Sequence, residues 1–351
     1  MWVKREGLKA GYVLTEDVYG KTSRPIMKKD TVLTDLHLKV LDAFLIEKVM
    51  IGGKTTGEEE VQKENTGLPA SSFIRHYLSV VDSFQSTFRN WQSGDRIDMK
   101  TLRRLFIPLL EEASEKPDEI FSLHYYVEAR DYLFHHAVST AILSAFLAKK
   151  MGYEKGDWVQ IGLAGALCDC GMARVPLGFL KNKGPLSDRE RKEIRQHPIY
   201  GFQMLKTIPA LQEGVRLAVS QHHERENGSG YPLGIDGSQI HPFSKIVAVA
   251  DSFHAMTCDR PYRAKRSPFQ ALEIMTDQQF GRFDLNVLAT LSAALVHFSV
   301  GTKVRLTDQR LGEIVFIPPR KPTRPMVRMQ ENGEIIPLAD RTDLSIESII
   351  S

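Results

Sequence analysis

Seven of the eleven histidines fall between residues 135 and 254, interleaved with aspartates: His136, then Cys168-Asp169, then His197, His222-His223 and Asp251. Imidazole nitrogens and carboxylate oxygens are ligands that divalent iron, manganese and zinc accept, and several helices supplying them together make a buried metal centre. His222 and His223 stand just before Glu224-Arg225-Glu226-Asn227-Gly228-Ser229-Gly230-Tyr231-Pro232. A helix ending there would direct its last turn at the site, and the glycines would let the following loop fold tightly over it. Single residues signal less. His37, His76 and His297 read as surface or satisfied core side chains, and His135 faces away from His136, because helix neighbours diverge by about 100°. Cys168 and Cys170 on their own read as small buried thiols, and without a second pair they make no zinc knuckle.

The elements that must hold these residues follow from periodicity. From Ser71 to about His297 the apolar positions recur at three and four, with short Gly or Pro breaks, which predicts an all-helical body. Residues 1–53 mix short β-like runs (Gly11 to Leu14, Val49 to Ile51) with one helix over Leu36 to Leu45 capped by Thr34, a small α+β module. Residues 54–67 are polar and aperiodic and read as a linker. After Val300 the pattern turns to β, with strands around Lys303 to Leu306 and Glu313 to Ile317 and a further hairpin at Asn332-Gly333. The 351 residues, 42% hydrophobic and 25% charged, suit a soluble protein with one main domain and smaller additions. No apolar run reaches the roughly 18 residues of a membrane span, and the N-terminus lacks a secretory pattern. Three cysteines fit a reducing compartment, so the cytosol is the expected location. A net charge of +3 is too small to argue for a nucleic-acid polymer or a membrane as partner, and neither is expected, yet it allows a local basic patch around an anionic substrate.

Taken in order, His222 through Pro232, Ala250-Asp251-Ser252-Phe253, Asp259-Arg260-Pro261-Tyr262-Arg263 and Phe283-Asp284 resemble the HD-GYP family, a branch of the HD superfamily of metal-dependent phosphohydrolases. The resemblance runs from about Tyr132 to His297. It implies a mainly α protein with an HD-type helical bundle core at 130–299, preceded by a helical segment at 68–129 and followed by a β-rich module at 300–351. It also implies a centre for two divalent metal ions, iron, manganese or zinc. His136, Cys168, Asp169 and Asp251 stand at the positions of the first ion, and Asp169, His197, His222 and His223 at those of the second, with Asp169 bridging. Arg260 and Arg263 match positions that hold substrate phosphates, and Tyr231 lines the same pocket. The implied reaction is two-metal hydrolysis of a cyclic dinucleotide, cyclic di-GMP opened to pGpG or GMP, with Asp169 as the catalytic carboxylate.

The sequence also departs from the family. Its His-Asp-x-Gly-Lys segment reads Cys168-Asp169-Cys170-Gly171-Met172, so an imidazole ligand and a phosphate-facing lysine are replaced. A thiolate at Cys168 could bind a softer metal, whereas the Met172 thioether cannot neutralise a phosphate. His254 stands where the family has Asp, and Tyr132 where some members carry a Glu for a third metal, which limits the centre to two ions. Two functions remain open: a phosphodiesterase, or an inactive HD-GYP signalling or nucleotide-binding module. The survival of His136, Asp169, His197, His222, His223 and Asp251 weighs toward the enzyme. The helices between Ser71 and Glu115 could pair with a second subunit, although amphipathic stripes more often serve a core.

Overall fold

The structure is a computed structural model that describes residues 71–350, apart from 128–129, 181–185, 210, 259–264, 279, 297–299 and 320, together with parts of 2–52. The chain divides into two compact units, Met1–Gly67 and Leu68–Ser351. The expected linker at 54–67 lies outside the described residues, as does half of the expected helix over 36–45, of which residues 37–38 and 40–41 are helical.

In the first unit β1 (Trp2–Lys4), β5 (Lys48–Gly52) and β2 (Val13–Leu14) form an antiparallel sheet in the order β1-β5-β2. β3 (Val18–Tyr19) and β4 (Pro25–Met27) make a separate ribbon. A small core of Leu14, Leu33, Leu41, Val49 and Ile51 lies beneath them. This is the α+β module expected from its alternating runs.

The second unit is helical before it is β. Its main helices are α1 (Ser72–Gln92), α2 (Met99–Ser114), α3 (Tyr132–Lys150), α4 (Lys155–Leu167), α5 (Asp188–Ile194), α6 (His197–Leu205), α7 (Glu213–Gln221), α8 (Pro242–Thr257) and α9 (Leu285–Leu295). Local chemistry starts them where they start. Ser71 caps α1 by accepting from the Ile74 amide, Asp98 caps α2, and Asp284 caps α9. Ser187 and Glu190 form a reciprocal capping box on α5. α3 is buried from His135 to Ala148 on all sides, which marks it as the central helix around which the others pack. α4 lies against it because Gly162 and Gly165 leave room: a Cβ at Gly165 would come within 2.8 Å of the Thr140 carbonyl. An aromatic cluster of Phe84, Phe88, Trp91 and Phe106 locks α1 to α2, with Phe88 also edge-on to Phe134 of α3.

The chain closes with a five-stranded antiparallel sheet in the order β10-β6-β7-β8-β9, from β6 (Lys303–Leu306), β7 (Leu311–Phe316), β8 (Met326–Met329), β9 (Ile335–Pro337) and β10 (Ile346–Ile350). Gly333 turns the β8–β9 hairpin at φ +71°. The hydrophobic core is continuous from Phe73 on α1 to Ile346 on β10. Among the described residues no helix is long and apolar enough to cross a membrane.

The tightest joint in the helical body lies beside the candidate site. After α4 the chain makes a 3₁₀ turn, Cys170–Arg174, and α6 packs directly on it. Gly171 is the contact point, because a Cβ there would overlap the His197 carbonyl and come within 2.5 Å of the Gly201 amide nitrogen. Gly201 faces back toward it, with Cys170 Sγ filling the space beside Gly201. Gly171→Ala is therefore expected to lower stability by at least about 3 kcal/mol, the upper range for overpacking. Urea denaturation should show this midpoint shift against a Gly178→Ala control, where the added Cβ meets nothing within 4 Å. Equal midpoints for the two variants would refute the close-packing account.

Candidate metal centre

Four helices and one turn bring the predicted ligands together. His136 enters from the first turns of α3, Asp169 from the turn after α4, His197 from the start of α6, His222 and His223 from the end of α7, and Asp251 from the middle of α8. α7 ends at Gln221 with His222 as its C-cap, so the paired histidines leave the helix at the site, as their position before the glycine-rich loop predicts. His135 faces away, its ring bonded to the Tyr77 hydroxyl at 2.9 Å.

The donor atoms fall into two groups, each with its atoms within 4.8 Å of one another: His136, Asp169 and Asp251 in one, and Asp169, His197, His222 and His223 in the other. Asp169 belongs to both, and its two oxygens divide the work. Oδ2 lies 3.7 Å from His136 Nε2. Oδ1 lies 3.1 Å from His197 Nε2 and 3.8 Å from His222 Nε2. Asp251 Oδ1 is 2.8 Å from His136 Nε2, and its Oδ2 is 3.8 Å from His223 Nδ1.

Tautomers follow from the backbone. His197 Nδ1 is 2.7 Å from the Ile194 carbonyl and His222 Nδ1 is 2.9 Å from the Val219 carbonyl. A carbonyl only accepts, so both Nδ1 atoms carry hydrogen and both Nε2 lone pairs face inward. Those two Nε2 atoms stand 3.1 Å apart. Two lone pairs cannot face each other at that distance without a cation between or beside them. In the metal-free chain a proton fills that need: burial opposes charging His197, yet Asp169 and the Ile194 carbonyl raise its pKa. Burial, reinforced by the charge on His197, pushes His222 down to about 4. Burial and the neighbouring His222 hold His223 well below the ordinary range. Burial favours protonation of both carboxyls, but hydrogen bonds and charge from His197 and His136 outweigh it and keep Asp169 and Asp251 well below the usual carboxylate range. Ionised carboxylates and neutral, inward-facing imidazoles are the donor set a divalent cation requires.

A loop over residues 222–236 covers this set. Glu224, buried, accepts amide hydrogens from Leu233 at 2.6 Å and Gly234 at 3.0 Å, tying the loop's far end to its start. An Asn227–Asp236 bridge closes it. Gly230 runs so close to the Glu224-Arg225 backbone that a Cβ would come within 2.6 Å of the Arg225 nitrogen. Tyr231 donates its amide to the His223 carbonyl and stacks on the His223 ring at 4.6 Å.

The pattern of the HD domain matches residues 124–287. Residues 124–287 are an HD domain. A cyclic di-GMP phosphodiesterase of Pseudomonas aeruginosa is 32% identical over 233 residues, 66% of this chain and 55% of that protein. A 3′3′-cGAMP-specific phosphodiesterase of Vibrio cholerae is 30% identical over 164 residues, 47% of this chain and 35% of that protein. Among solved structures, an HDG"Y"P protein from Bdellovibrio bacteriovorus matches with a TM-score of 0.49 and 18% identity, over 84% of this chain and 99% of that one. The chain thus spans about half or less of the length of the two curated relatives.

Within the HD domain the Cys168-Asp169 pair behaves unequally. Asp169 is central, but the Cys168 thiol turns away and donates to the Gly165 carbonyl at 3.2 Å, inside the last turn of α4. It joins neither donor group. Burial and then the charges of Asp169 and Asp251 raise its pKa well above that of a free thiol, so it stays protonated. Cys168, expected as a thiolate ligand, thus stands apart from the grouped donors. Met172 packs against the hydrophobic core. Arg260 and Arg263 lie outside the described residues.

Other side chains enter the site that their sequence neighbourhood does not announce. His254, one turn after Asp251, meets His136 Nδ1 with its own Nδ1 at 2.9 Å, so it orients the His136 ring, and Tyr132 stacks on that ring at 5.1 Å. The three-residue spacing from Asp251 is the signal that puts His254 on the same helix face. Arg195 lies over the Tyr231 ring at 4.3 Å. Arg225 is half-buried and committed to the His222 and Glu224 carbonyls at 3.0 and 2.8 Å and to Ser252.

These charge states make the metal-free fold sensitive to acid. The unfolded chain protonates His222 and His223 near pH 6.5 while the fold keeps both neutral to much lower pH, so unfolding takes up protons and stability falls as pH drops below about 6.5. The depressed carboxyls contribute stability above their unfolded values, and this is lost only as pH falls through their far lower folded values. His197 works the other way, its stabilisation being full below its unfolded value and lost as pH rises through its raised one, so its effect falls above about pH 6.5 and leaves the slope below that pH to His222 and His223. With chelator present, thermal melts should fall from pH 7 to pH 5. His223→Gln should reduce the slope by up to about 1.4 kcal/mol per pH unit, one proton's worth. An unchanged slope would show that His223 is not held neutral.

Proposed function

We propose that this chain is a metal-dependent phosphodiesterase that opens a cyclic dinucleotide, cyclic di-GMP to pGpG or GMP. The observation that carries this reading is the division of the two Asp169 oxygens between two donor groups. Two metal ions, iron, manganese or zinc, would be held by His136, Asp169 and Asp251 and by Asp169, His197, His222 and His223. When bound, such a pair supplies charge to phosphoryl oxygens and lowers the pKa of water for in-line attack at phosphorus. The protein's own part is to fix the donors. The Ile194 and Val219 carbonyls set the His197 and His222 tautomers, His254 and Tyr132 orient His136, and the loop that carries Tyr231 lays its ring on His223. The relatives named as cyclic di-GMP and 3′3′-cGAMP phosphodiesterases support the substrate class.

A second reading, a nucleotide-binding module without turnover, draws on one observation: the two substituted positions, Cys168 and Met172, both turn toward the protein interior. The readings separate on purified, anaerobically prepared protein in which metal content and cyclic di-GMP hydrolysis are measured together. The wild type should carry two ions and turn over. Cys168→Ala should keep both ions and activity within about threefold, because the thiol is no ligand and its loss removes little packing volume. Asp169→Ala should reduce activity by more than about 100-fold, since even outer-shell partners of metal ligands are worth 10–100-fold. An inert wild type with one ion or none would establish the binding module instead, and loss of an ion in Cys168→Ala would restore the thiol to the ligand set.

A further inference from the structure

Beside the metal donors lies a cleft of about 370 Å³ whose lining carries four arginines, Arg191, Arg195, Arg225 and Arg282, and no carboxylate. Two of the four are already committed. Arg191 Nε donates to the Leu186 carbonyl at 3.0 Å, and Arg225 donates to two carbonyls and a serine hydroxyl. Arg195 is held differently. Its guanidinium rests on the Tyr231 ring at 4.3 Å, and Tyr231 rests in turn on the His223 ring at 4.6 Å. A cation–π contact fixes the plane of the guanidinium without using its N–H donors, and among the described residues Arg195 has no carboxylate partner. Arg282 lines the same cleft with a buried Nε that has no hydrogen-bond partner among the described residues. The buried Arg282 donor without an acceptor is unfavourable, and the exposed Arg195 guanidinium keeps its N–H donors open to the cleft. A bound anion satisfies the first and accepts from the second.

We infer that this cleft is a phosphate subsite in which Arg195, seated on Tyr231, and Arg282 supply the positive charge that position 172 lacks. Met172 brings no charge and packs on the core from the turn after Asp169, whereas Arg195 arrives at the junction of α5 and α6. The two arginines thus reach a phosphate from outside the Cys168–Met172 segment. A planar, pre-oriented fork suits paired hydrogen bonds to two phosphate oxygens better than an ammonium would. The ring stack sets the distance: His223 belongs to a metal donor group, Tyr231 lies one ring away, and Arg195 lies one contact beyond. A nucleotide phosphate at Arg195 is therefore next to the reacting centre rather than at it. This rests on the phosphodiester reading for its substrate, but not for its chemistry, since anion binding needs no turnover.

Calorimetric titration of the full chain with 5′-GMP and with guanosine tests it, with metal content measured on each sample. Wild type should prefer GMP. Arg195→Gln should weaken GMP at least tenfold while guanosine affinity and metal content stay unchanged; Arg195→Lys should recover part of the loss, and Arg282→Gln should weaken GMP less than Arg195→Gln. Unchanged GMP affinity in Arg195→Gln, an equal loss for guanosine, or no preference for GMP in the wild type would overturn the subsite. GMP preference lost in Arg195→Gln in a chain that hydrolyses no cyclic dinucleotide would sustain the subsite and remove the phosphodiesterase reading.

Discussion

The carboxylate of Asp169 sits in a buried space with imidazoles on both sides, and the rest of the HD domain is arranged around keeping it ionised there. An ion moved from water to protein interior loses several kcal/mol of solvation, which geometry and hydrogen bonds must offset. His197 on one oxygen and His136 on the other provide that geometry, and each is held by a different helix. α4 cannot drift from α3 without moving Asp169, and Gly162 and Gly165 let the two helices approach closely. α6 cannot drift from the Cys170–Arg174 turn without moving His197, and Gly171 leaves no space between them.

The same constraint explains the loop that follows α7. His222 and His223 must leave the helix at its last turn to reach Asp169 and Asp251, and the chain must then return without burying unpaired amides. Glu224 solves this by accepting from Leu233 and Gly234, and Gln221 by accepting from the His241 amide and the Ser244 hydroxyl at the start of α8. Gly228 and Gly234, both at positive φ, make the turns that the return path needs. Tyr231 is thereby laid on His223 and becomes the seat for Arg195, so the roof of the metal donors and the wall of the cleft share one ring.

Much of this was legible in the sequence. The helical body, the β-rich end, the order of the donors and the helix end at His222 follow from periodicity and from residue types that only a cation would gather. What was not legible depended on side-chain direction or on distant partners. Nothing in Cys168-Asp169 says that one side chain turns inward and the other back to its own helix; that is decided by the Gly165 carbonyl, one turn earlier, being free to accept. Arg195 and Tyr231 lie far apart in sequence, and neither predicts the stack. The role of His254 needed the distance to His136, which no local pattern encodes. Position 172 carries no charge in the sequence, and the arginines that face the cleft from other segments come together only in the folded chain.

The central claim is that one carboxylate serves two ions. Anomalous diffraction from crystals grown with manganese tests it directly. Two peaks are expected, about 3.5–4 Å apart as in paired-metal sites, with Asp169 Oδ1 and Oδ2 each in contact with a different peak. A single peak, or two peaks of which only one touches Asp169, would contradict it.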